Sequence, residues 1–186
     1  MTLVYQCDGA QVMARFSGQD AEVWLPEGTH HLTTTLAASG ARYAGEGGIT
    51  FWTRGHTEAL LQQPGQPPQS CHAGPPAAWR GAVEAGVAFR AIGQEPGWLL
   101  DLYPDGTLHL RADYGTRQIY TTMPEPRVVD GTRVYEGRTD SNALLRLEIV
   151  DEWCRDIMSG HPFPKTVQVI LDDVTWRGCG MGLGGL

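Results

Sequence analysis

The stretch LAASGARYAGEGGITFWTRG, residues 36–55, shows the pattern that decides the fold. It contains short runs of aromatic and β-branched residues, and glycines separate these runs. Such runs are typical of β-strands joined by tight turns, because glycine adopts the turn conformations at little steric cost. The stretch therefore predicts two short strands, with Ser39 in the turn before the first strand and Arg54 after the second.

The same pattern continues toward the N-terminus and beyond residue 55, and no long helical period competes with it. Seven strands are predicted in the first part of the chain, at residues 3–7, 11–16, 21–25, 30–35, 42–44, 49–52 and 58–62. Seven short strands in one small segment favour a closed antiparallel barrel or a sandwich.

Proline and glycine crowd the next segment, QQPGQPPQSCHAGPPAAW, residues 62–79. Apolar residues there have neither the spacing of a helix nor that of a strand, so we place a domain boundary between Gly74 and Ala78. The predicted domains are residues 1–74 and residues 79–186.

The second domain is also predicted to be rich in β-structure. In WLLDLYPDGTLHLRA, residues 98–112, a Pro-Asp-Gly turn joins two strands as a hairpin. Further strands are predicted at residues 87–93, 118–122, 133–137, 144–150, 167–171 and 174–178. One short helix is predicted at Asp151–Met158, with Asp151 as its N-cap and Gly160 just past its end. The glycine-dense C-terminus, GCGMGLGGL, is predicted to be frayed.

Composition places the chain among soluble globular proteins. It has 186 residues, of which 41% are hydrophobic and 19% charged, and its formal net charge is -7. An acidic balance with no basic surface argues against nucleic-acid binding. No apolar stretch approaches the roughly 20 residues that span a bilayer, and no signal segment is visible. We expect contact with a membrane only through a lipid anchor that is absent from the chain shown.

The four cysteines are Cys7, Cys71, Cys154 and Cys179, and neither the first two nor the last two have metal-ligand spacing. A nested pairing joins Cys7 to Cys71 and Cys154 to Cys179, and loops of these lengths stabilise a fold by about 4 and 3.5 kcal/mol. The alternative is four reduced, buried thiols in a cytosolic protein. We favour the disulfides, and with them an oxidising compartment, because each pair brackets one predicted domain.

The histidines and hydroxyl groups do not form a recognisable catalytic set. Ser39 lacks the Gly-x-Ser-x-Gly context of a nucleophile elbow, and no cysteine has a catalytic signature. His30 and His31 point to opposite faces of a strand, which spoils them as paired metal ligands. His56 and His72 are typical of surface loops. The sequence therefore predicts no enzyme, no metal and no cofactor, and what remains is a binding surface.

Three motifs of the first domain, taken in their order along the chain, indicate a family resemblance. They are YQC at residues 5–7, LAASGARYAGEGGITFWTRGHTEALL at residues 36–61, and the closing Cys71. Together they resemble the membrane-bound or periplasmic inhibitor family of C-type lysozymes, whose hallmark is a Ser-Gly-Ala-Arg-Tyr loop followed by a Trp-x-Lys-Gly loop. The resemblance covers about residues 3–72. It implies a small antiparallel β-barrel whose loops enter the substrate cleft of the lysozyme.

The resemblance also implies roles for individual residues. The loop serine and the following lysine of the family engage the two catalytic carboxylates of the target, and Ser39 and Arg54 are the matching positions. A hydroxyl can donate to a carboxylate and a cation can pair with an ionised one. The implied lysozyme-binding residues are Ser39, Gly40, Arg42, Tyr43, Trp52, Thr53 and Arg54. C-type lysozymes are basic as a class, so an acidic inhibitor is steered toward them.

The same residues have a purely structural interpretation. In that interpretation Ser39 and Gly40 form a turn, Tyr43 and Trp52 fill the core, and Arg54 is a solvated edge residue. The chain also has arginine at position 54 where the family has lysine, and these two side chains differ in shape and in hydrogen-bond geometry.

The second half resembles a less understood family of bacterial envelope proteins. The resemblance is carried by FRAIGQEPGW at residues 89–98, CRDIMSGHPFP at residues 154–164 and GCG at residues 178–180. It supplies no function. We expect the Cys154–Cys179 bond to pin the predicted helix to the last strand, and a redox role is the alternative.

Taken together, the residues and the resemblances predict a mainly β protein. Its N-terminal antiparallel β-barrel is followed by a second β-rich domain with one short helix. The predicted function is inhibition of C-type lysozyme in the periplasm or at the outer membrane. The alternative is a non-inhibitory envelope module that binds a small ligand or a cell-wall component.

Overall fold

The computed structural model describes residues 1–184. Contacts divide the chain into two compact units, Met1–Ala77 and Ala78–Leu186. Both units are mainly β-structure, and the second contains one short helix, α1 (Arg80–Glu84). The predicted fold class is confirmed. Within residues 1–184, no helix has the length and apolar character needed to span a membrane.

The first unit is a closed antiparallel barrel in which each strand pairs with its sequence neighbours and the eighth pairs back to the first. A 3-10 turn, Glu46–Gly48, lies between the fifth and sixth strands. Closure matters because it leaves no unpaired sheet edge in this small unit. The strands are β1 (Thr2–Cys7), β2 (Ala10–Ser17), β3 (Asp20–Leu25), β4 (Gly28–Thr35), β5 (Ala41–Ala44), β6 (Thr50–Arg54), β7 (Glu58–Gln62) and β8 (Gln69–Ala73).

The barrel core follows from the alternation of side chains along each strand. On β1, Leu3, Tyr5 and Cys7 all belong to the buried cluster. The Tyr5 ring meets Phe51 of β6 edge to face, with ring centroids 5.2 Å apart. Leu32 of β4, Tyr43 of β5 and Phe51 of β6 belong to the same cluster and anchor the strands that flank residues 36–40 and 55–57.

The strand β8 closes the barrel, and the sequence did not predict it. Its five residues, QSCHA, follow a proline-rich segment and carry no strand-forming aliphatic residue. Tertiary pairing decides its conformation, since β8 pairs with both β7 and β1. Cys7 lies directly opposite Cys71 in this pairing and is bonded to it. The disulfide thus joins the first and last strands of the barrel.

The second unit is built on a nine-stranded antiparallel sheet with the order β12-β11-β10-β9-β19-β18-β15-β14-β13. The sheet curls, and Thr121 Oγ1 of β12 donates to the carbonyl oxygen of Arg138 in β14 at 2.6 Å. Two short 3-10 turns, Ala77–Trp79 and Asp113–Gly115, complete the regular structure. The strands of the sheet are β9 (Phe89–Gln94), β10 (Gly97–Leu102), β11 (Thr107–Ala112), β12 (Arg117–Thr122), β13 (Arg127–Val129), β14 (Thr132–Arg138), β15 (Leu144–Val150), β18 (Lys165–Leu171) and β19 (Val174–Gly182).

The helix predicted at Asp151–Met158 is wrong. That segment contributes β16 (Cys154–Arg155) to a two-stranded hairpin with β17 (Pro162–Phe163). Asp156 explains the difference, because its carboxylate accepts from both the backbone N–H and the hydroxyl of Ser159 and so stabilises a turn. Cys154 is bonded to Cys179, so the disulfide pins this hairpin, rather than a helix, to β19.

The glycine-rich C-terminus is also more regular than predicted. Strand β19 continues through Gly182, and only residues 185 and 186 of the predicted frayed segment lie outside the described residues. A Cβ at Gly178 would collide with the carbonyl oxygen of Ile92, and one at Gly180 would lie 2.9 Å from that of Arg90. The glycines therefore permit close pairing of β19 with β9.

Candidate functional site

The first candidate loop, residues 36–40, connects β4 to β5. Leu36 is 98% exposed, and Ser39 and Gly40 are also exposed. Gly40 has a φ of 68°, and a Cβ there would collide with the carbonyl oxygen of Thr53. Only glycine fits this position, so the loop lies directly against β6.

The second candidate loop, residues 55–57, connects β6 to β7. Arg54 is the last residue of β6 and is paired across the hairpin with Glu58 of β7. Gly55 follows with a φ of 70°, the left-handed conformation that lets the chain turn. The side chains of Arg54 and His56 are exposed.

Trp52 contacts Ser39 of the first loop and Arg54, which directly precedes the second loop. Its indole Nε1 donates to the carbonyl oxygen of Ser39 at 2.7 Å. The Arg54 Cζ lies 4.6 Å from the centre of the Trp52 ring, within the range of a cation–π contact. The structure thus brings Ser39, Trp52 and Arg54 into one contiguous row, although Ser39 is 13 positions before Trp52 in the sequence.

Two hydrogen-bonding groups in this row are available to an outside partner. Within residues 1–184, the Ser39 hydroxyl makes no hydrogen bond, and Arg54 makes no ion pair. Both residues are exposed. An exposed hydroxyl and an exposed guanidinium with unused donors, on two residues that both contact Trp52, are suited to binding carboxylates.

Of the remaining residues predicted to bind lysozyme, one is exposed and two are buried. Arg42 is exposed on β5 and lies opposite Trp52 in the strand pairing. Tyr43 and Thr53 are only 7% and 8% exposed. The Tyr43 ring packs against Phe16, with centroids 5.4 Å apart, and Thr53 Oγ1 donates to the Ala41 carbonyl oxygen at 3.3 Å. Tyr43 and Thr53 therefore support the loops from beneath.

An apolar cavity of about 310 Å³ adjoins both loops. Gly40, Gly55 and His56 contribute to its lining, together with the core rings of Tyr5 and Tyr43. The Tyr5 hydroxyl is buried without a hydrogen-bond partner. Burial, together with the neighbouring Tyr43, raises the pKa of Tyr5 to about 12, so the phenol is neutral at physiological pH.

Sequence reasoning missed Leu36 as a candidate contact residue. It is the only large aliphatic side chain in an otherwise small and polar loop, and no strand pairing begins until Ala41. That isolation is the signal that could have identified it, since a leucine at a loop position has no core to enter. Its exposure makes it a candidate apolar contact beside Ser39.

A metal centre has no support in the part of the chain that the structure describes. No group of three or more His, Cys, Asp or Glu side chains there could hold a metal ion. His31 Nδ1 lies 3.6 Å from Glu22 Oε1, which is a surface contact between neighbouring strands.

Comparison with known families agrees with the resemblance seen in the sequence. Residues 5–70 match the family model described as membrane-bound lysozyme-inhibitor of c-type lysozyme. The match begins in β1, ends in β8 and includes both candidate loops. It confirms the resemblance for the first unit and does not extend to the second. Comparisons with curated proteins and with solved structures give no significant match.

Proposed function

We propose that the first unit inhibits c-type lysozyme by inserting residues 36–40 and 54–57 into its active-site cleft. The observation that carries the proposal is the row of Ser39, Trp52 and Arg54, in which the two residues with unused donors both contact Trp52. The family match over residues 5–70 supports lysozyme as the target, since the matching family is one of inhibitors.

The chemistry of the target explains why contacts from Ser39 and Arg54 are enough to inhibit it. A retaining glycosidase needs one carboxylic acid to protonate the leaving group and one carboxylate about 5 Å away to stabilise or attack the sugar. The Ser39 hydroxyl donates a hydrogen bond to one of these groups, and the Arg54 guanidinium pairs with the ionised one. With both carboxylates engaged and the cleft filled, substrate cannot bind or react. The inhibitor itself needs no bond-making step.

Arg54 fits this role despite differing from the family lysine. Its guanidinium is planar and can donate two parallel hydrogen bonds to a carboxylate. The Trp52 ring, 4.6 Å from Cζ, already orders the side chain before binding. This ordering reduces the conformational entropy that complex formation would otherwise remove.

We also infer a location in the bacterial envelope. The family description names membrane-bound inhibitors, and both disulfides are of the kind that persists in oxidising compartments. A protein placed there meets lysozyme where it attacks the cell wall.

The experiment is a titration of lysozyme activity on peptidoglycan with the full chain and with three variants. Ser39→Ala should weaken inhibition by about 1.5 to 3 kcal/mol, since it removes a hydrogen bond to a charged group. Arg54→Ala should weaken it more, by about 2 to 5 kcal/mol, since it leaves a desolvated carboxylate unpaired. Arg54→Lys should retain inhibition.

Arg15→Ala is the matched control. Arg15 also lies over a tryptophan, with its Cζ 5.2 Å from the Trp24 ring, but on the wall of the barrel between β2 and β3. The control has the same charge change and should leave inhibition nearly unchanged. Wild-type protein without inhibitory activity, or alanine variants at positions 39 and 54 that match Arg15→Ala, would contradict the proposal.

A further inference from the structure

The second unit contains a cavity of about 650 Å³ at one end of its curled sheet. Core residues Phe89, Leu102 and Ile149 contribute to its lining, together with Tyr135, which packs against the same core. Cavities of this size are typical of small-molecule sites, and the mouths of curled or closed sheets are common places for them.

Two buried tryptophans lie toward the opposite end of the sheet. Leu102 pairs with Phe89 at the cavity end of β10, and Trp98 pairs with Gly93 at the other end of the same strand. Trp98 and Trp176 are 5% and 1% exposed, and both belong to the core cluster. The cavity thus adjoins the apolar core at the Phe89–Leu102 end of the sheet.

Two cations lie at strand positions whose side chains face the same side of the sheet as the apolar core. On β18, alternate residues Val167, Val169 and Leu171 are buried in the core, and Lys165 is the preceding member of that series. On β14, Arg133 precedes the core-packed Tyr135 by two residues. Both cations line the cavity. Alternation along a strand therefore directs their side chains toward the mouth of the cavity.

Only one of the two cations is paired with an acid among the described residues. Lys165 Nζ pairs with Asp151, whose side chain is 73% exposed, and Arg133 makes no ion pair within residues 1–184. Burial lowers the pKa of Lys165, and the nearby charge of Arg133 lowers it further. An anion bound between these cations would relieve their repulsion.

Two acidic residues also line the cavity. Asp105 and Glu125 lie on connecting segments and are exposed, whereas the two cations lie on strands that carry the core. The Asp105 carboxylate already accepts from the Thr107 backbone N–H at 2.8 Å. Of the two cations, Lys165 is partly buried and Arg133 is exposed.

We infer that the second unit binds a fatty-acid-like anion, with its hydrocarbon chain in this cavity and its carboxylate at Lys165 and Arg133. The apolar floor matches a hydrocarbon chain, and the two strand-borne cations match a single negative head group. This site is separate from the lysozyme-binding loops and does not depend on the proposed function.

Isothermal titration of the full chain with decanoate tests the inference, with 1-decanol as the neutral probe of similar length. We expect one molecule of decanoate per chain and at least about tenfold weaker binding of decanol, as loss of a charge-assisted contact predicts. Arg133→Gln and Lys165→Gln should each weaken decanoate binding by about tenfold and should leave decanol binding nearly unchanged. Arg177→Gln is the matched control. Arg177 is an exposed cation of β19 and donates a hydrogen bond to Gln168.

Gly182→Leu tests the cavity independently of the charges. Gly182 lines the cavity, and a Cβ there would meet only the Ala88 carbonyl oxygen, at 3.8 Å, so the fold should tolerate the change. The leucine should abolish decanoate binding without lowering the melting temperature. No decanoate binding by the wild type, equal affinity for decanol, or equal losses in Arg177→Gln would overturn the inference.

Discussion

Trp52 has two roles at the level of single residues, because it is half-buried in the barrel wall and also contacts both loops. Its ring lies beneath the Arg54 guanidinium, and its indole N–H holds the backbone of Ser39. The two groups proposed to meet the lysozyme carboxylates are therefore positioned by one rigid side chain. Such preorganisation is the usual way in which a small surface binds a charged cleft tightly.

Gly40 and Gly55 offer a matched test of how closely the first loop must approach β6. Both have positive φ, but a Cβ at Gly40 would collide with the Thr53 backbone, whereas one at Gly55 would meet nothing within 4 Å. Gly55→Ala should cost about 1 to 2 kcal/mol of stability from its backbone conformation alone. Gly40→Ala should cost more and should also weaken inhibition. Thermal melts and lysozyme titrations measure both effects, and equal stability losses would contradict the close approach.

Leu36 should contribute to binding but not to folding. It is 98% exposed, so Leu36→Ser removes no packing from the free protein. Burial of a leucine in a complex is worth about 1.5 to 3 kcal/mol, which predicts at least about tenfold weaker lysozyme binding by the variant. Calorimetric titration against lysozyme measures the affinity, and a melting curve provides the folding control. Unchanged affinity would place Leu36 outside the interface.

The β16–β17 hairpin is held by Asp156. This residue is 5% exposed, and its carboxylate accepts from Gln94 Nε2 at 2.9 Å and from Ser159. Burial alone would raise the pKa of Asp156, but the hydrogen bonds from Ser159 and Gln94, with the charge of His161, outweigh burial and lower it below 3.8. The ionised carboxylate is therefore the form that stabilises the folded state.

Asp156→Asn should destabilise the second unit in a pH-dependent way. A group whose folded pKa is lowered contributes its full stability above its unfolded pKa and loses it as the pH falls through the folded value. The variant should be less stable by about 1 to 3 kcal/mol at pH 7, and the difference should shrink below about pH 4. Melting curves across this range measure it, with exposed Asp105→Asn as a control of smaller effect. A difference that stays constant or grows toward low pH would contradict the role of Asp156.

The sequence predicted strands wherever alternation and turn chemistry agreed. The Pro-Asp-Gly hairpin between β10 and β11 is found as expected. The sequence did not predict β8, because a polar segment beside prolines becomes a strand only through pairing with two neighbours. It predicted a helix at Asp151–Met158 wrongly, because Asp151 and Gly160 look like the two ends of a helix, whereas hydrogen bonds from Ser159 to Asp156 stabilise a turn there.

The residues of the candidate site could be named from the sequence, but their arrangement could not. Ser39, Trp52 and Arg54 stood out in the sequence through the family loops that contain them. Their contact geometry depends on the pairing of β5 with β6, which places Gly40 against Thr53. The sequence allowed Tyr43 to be either a core residue or a contact residue, and the structure buries it. The isolation of Leu36 in a small polar loop is a local signal of its exposure that the prediction did not use.

The whole molecule combines two units that require separate explanations. The family match ends at residue 70, within the first unit, and the second unit has its own core, disulfide and cavity. The net charge of -7 favours encounter with a basic partner at long range, but it does not determine which loops enter a cleft. Contact between the two loops and the cleft is therefore the claim that most needs a direct measurement.

Competition between this protein and an N-acetylglucosamine oligomer for lysozyme provides that measurement. The oligomer occupies the substrate cleft, so binding of the full chain should become weaker in proportion to oligomer saturation, and the two ligands should never be bound together. Calorimetric titration of lysozyme with the protein, at zero and at saturating oligomer, gives the two affinities. A large rise in the apparent Kd is the predicted result. An unchanged Kd, with both ligands bound at once, would show that the loops lie outside the cleft.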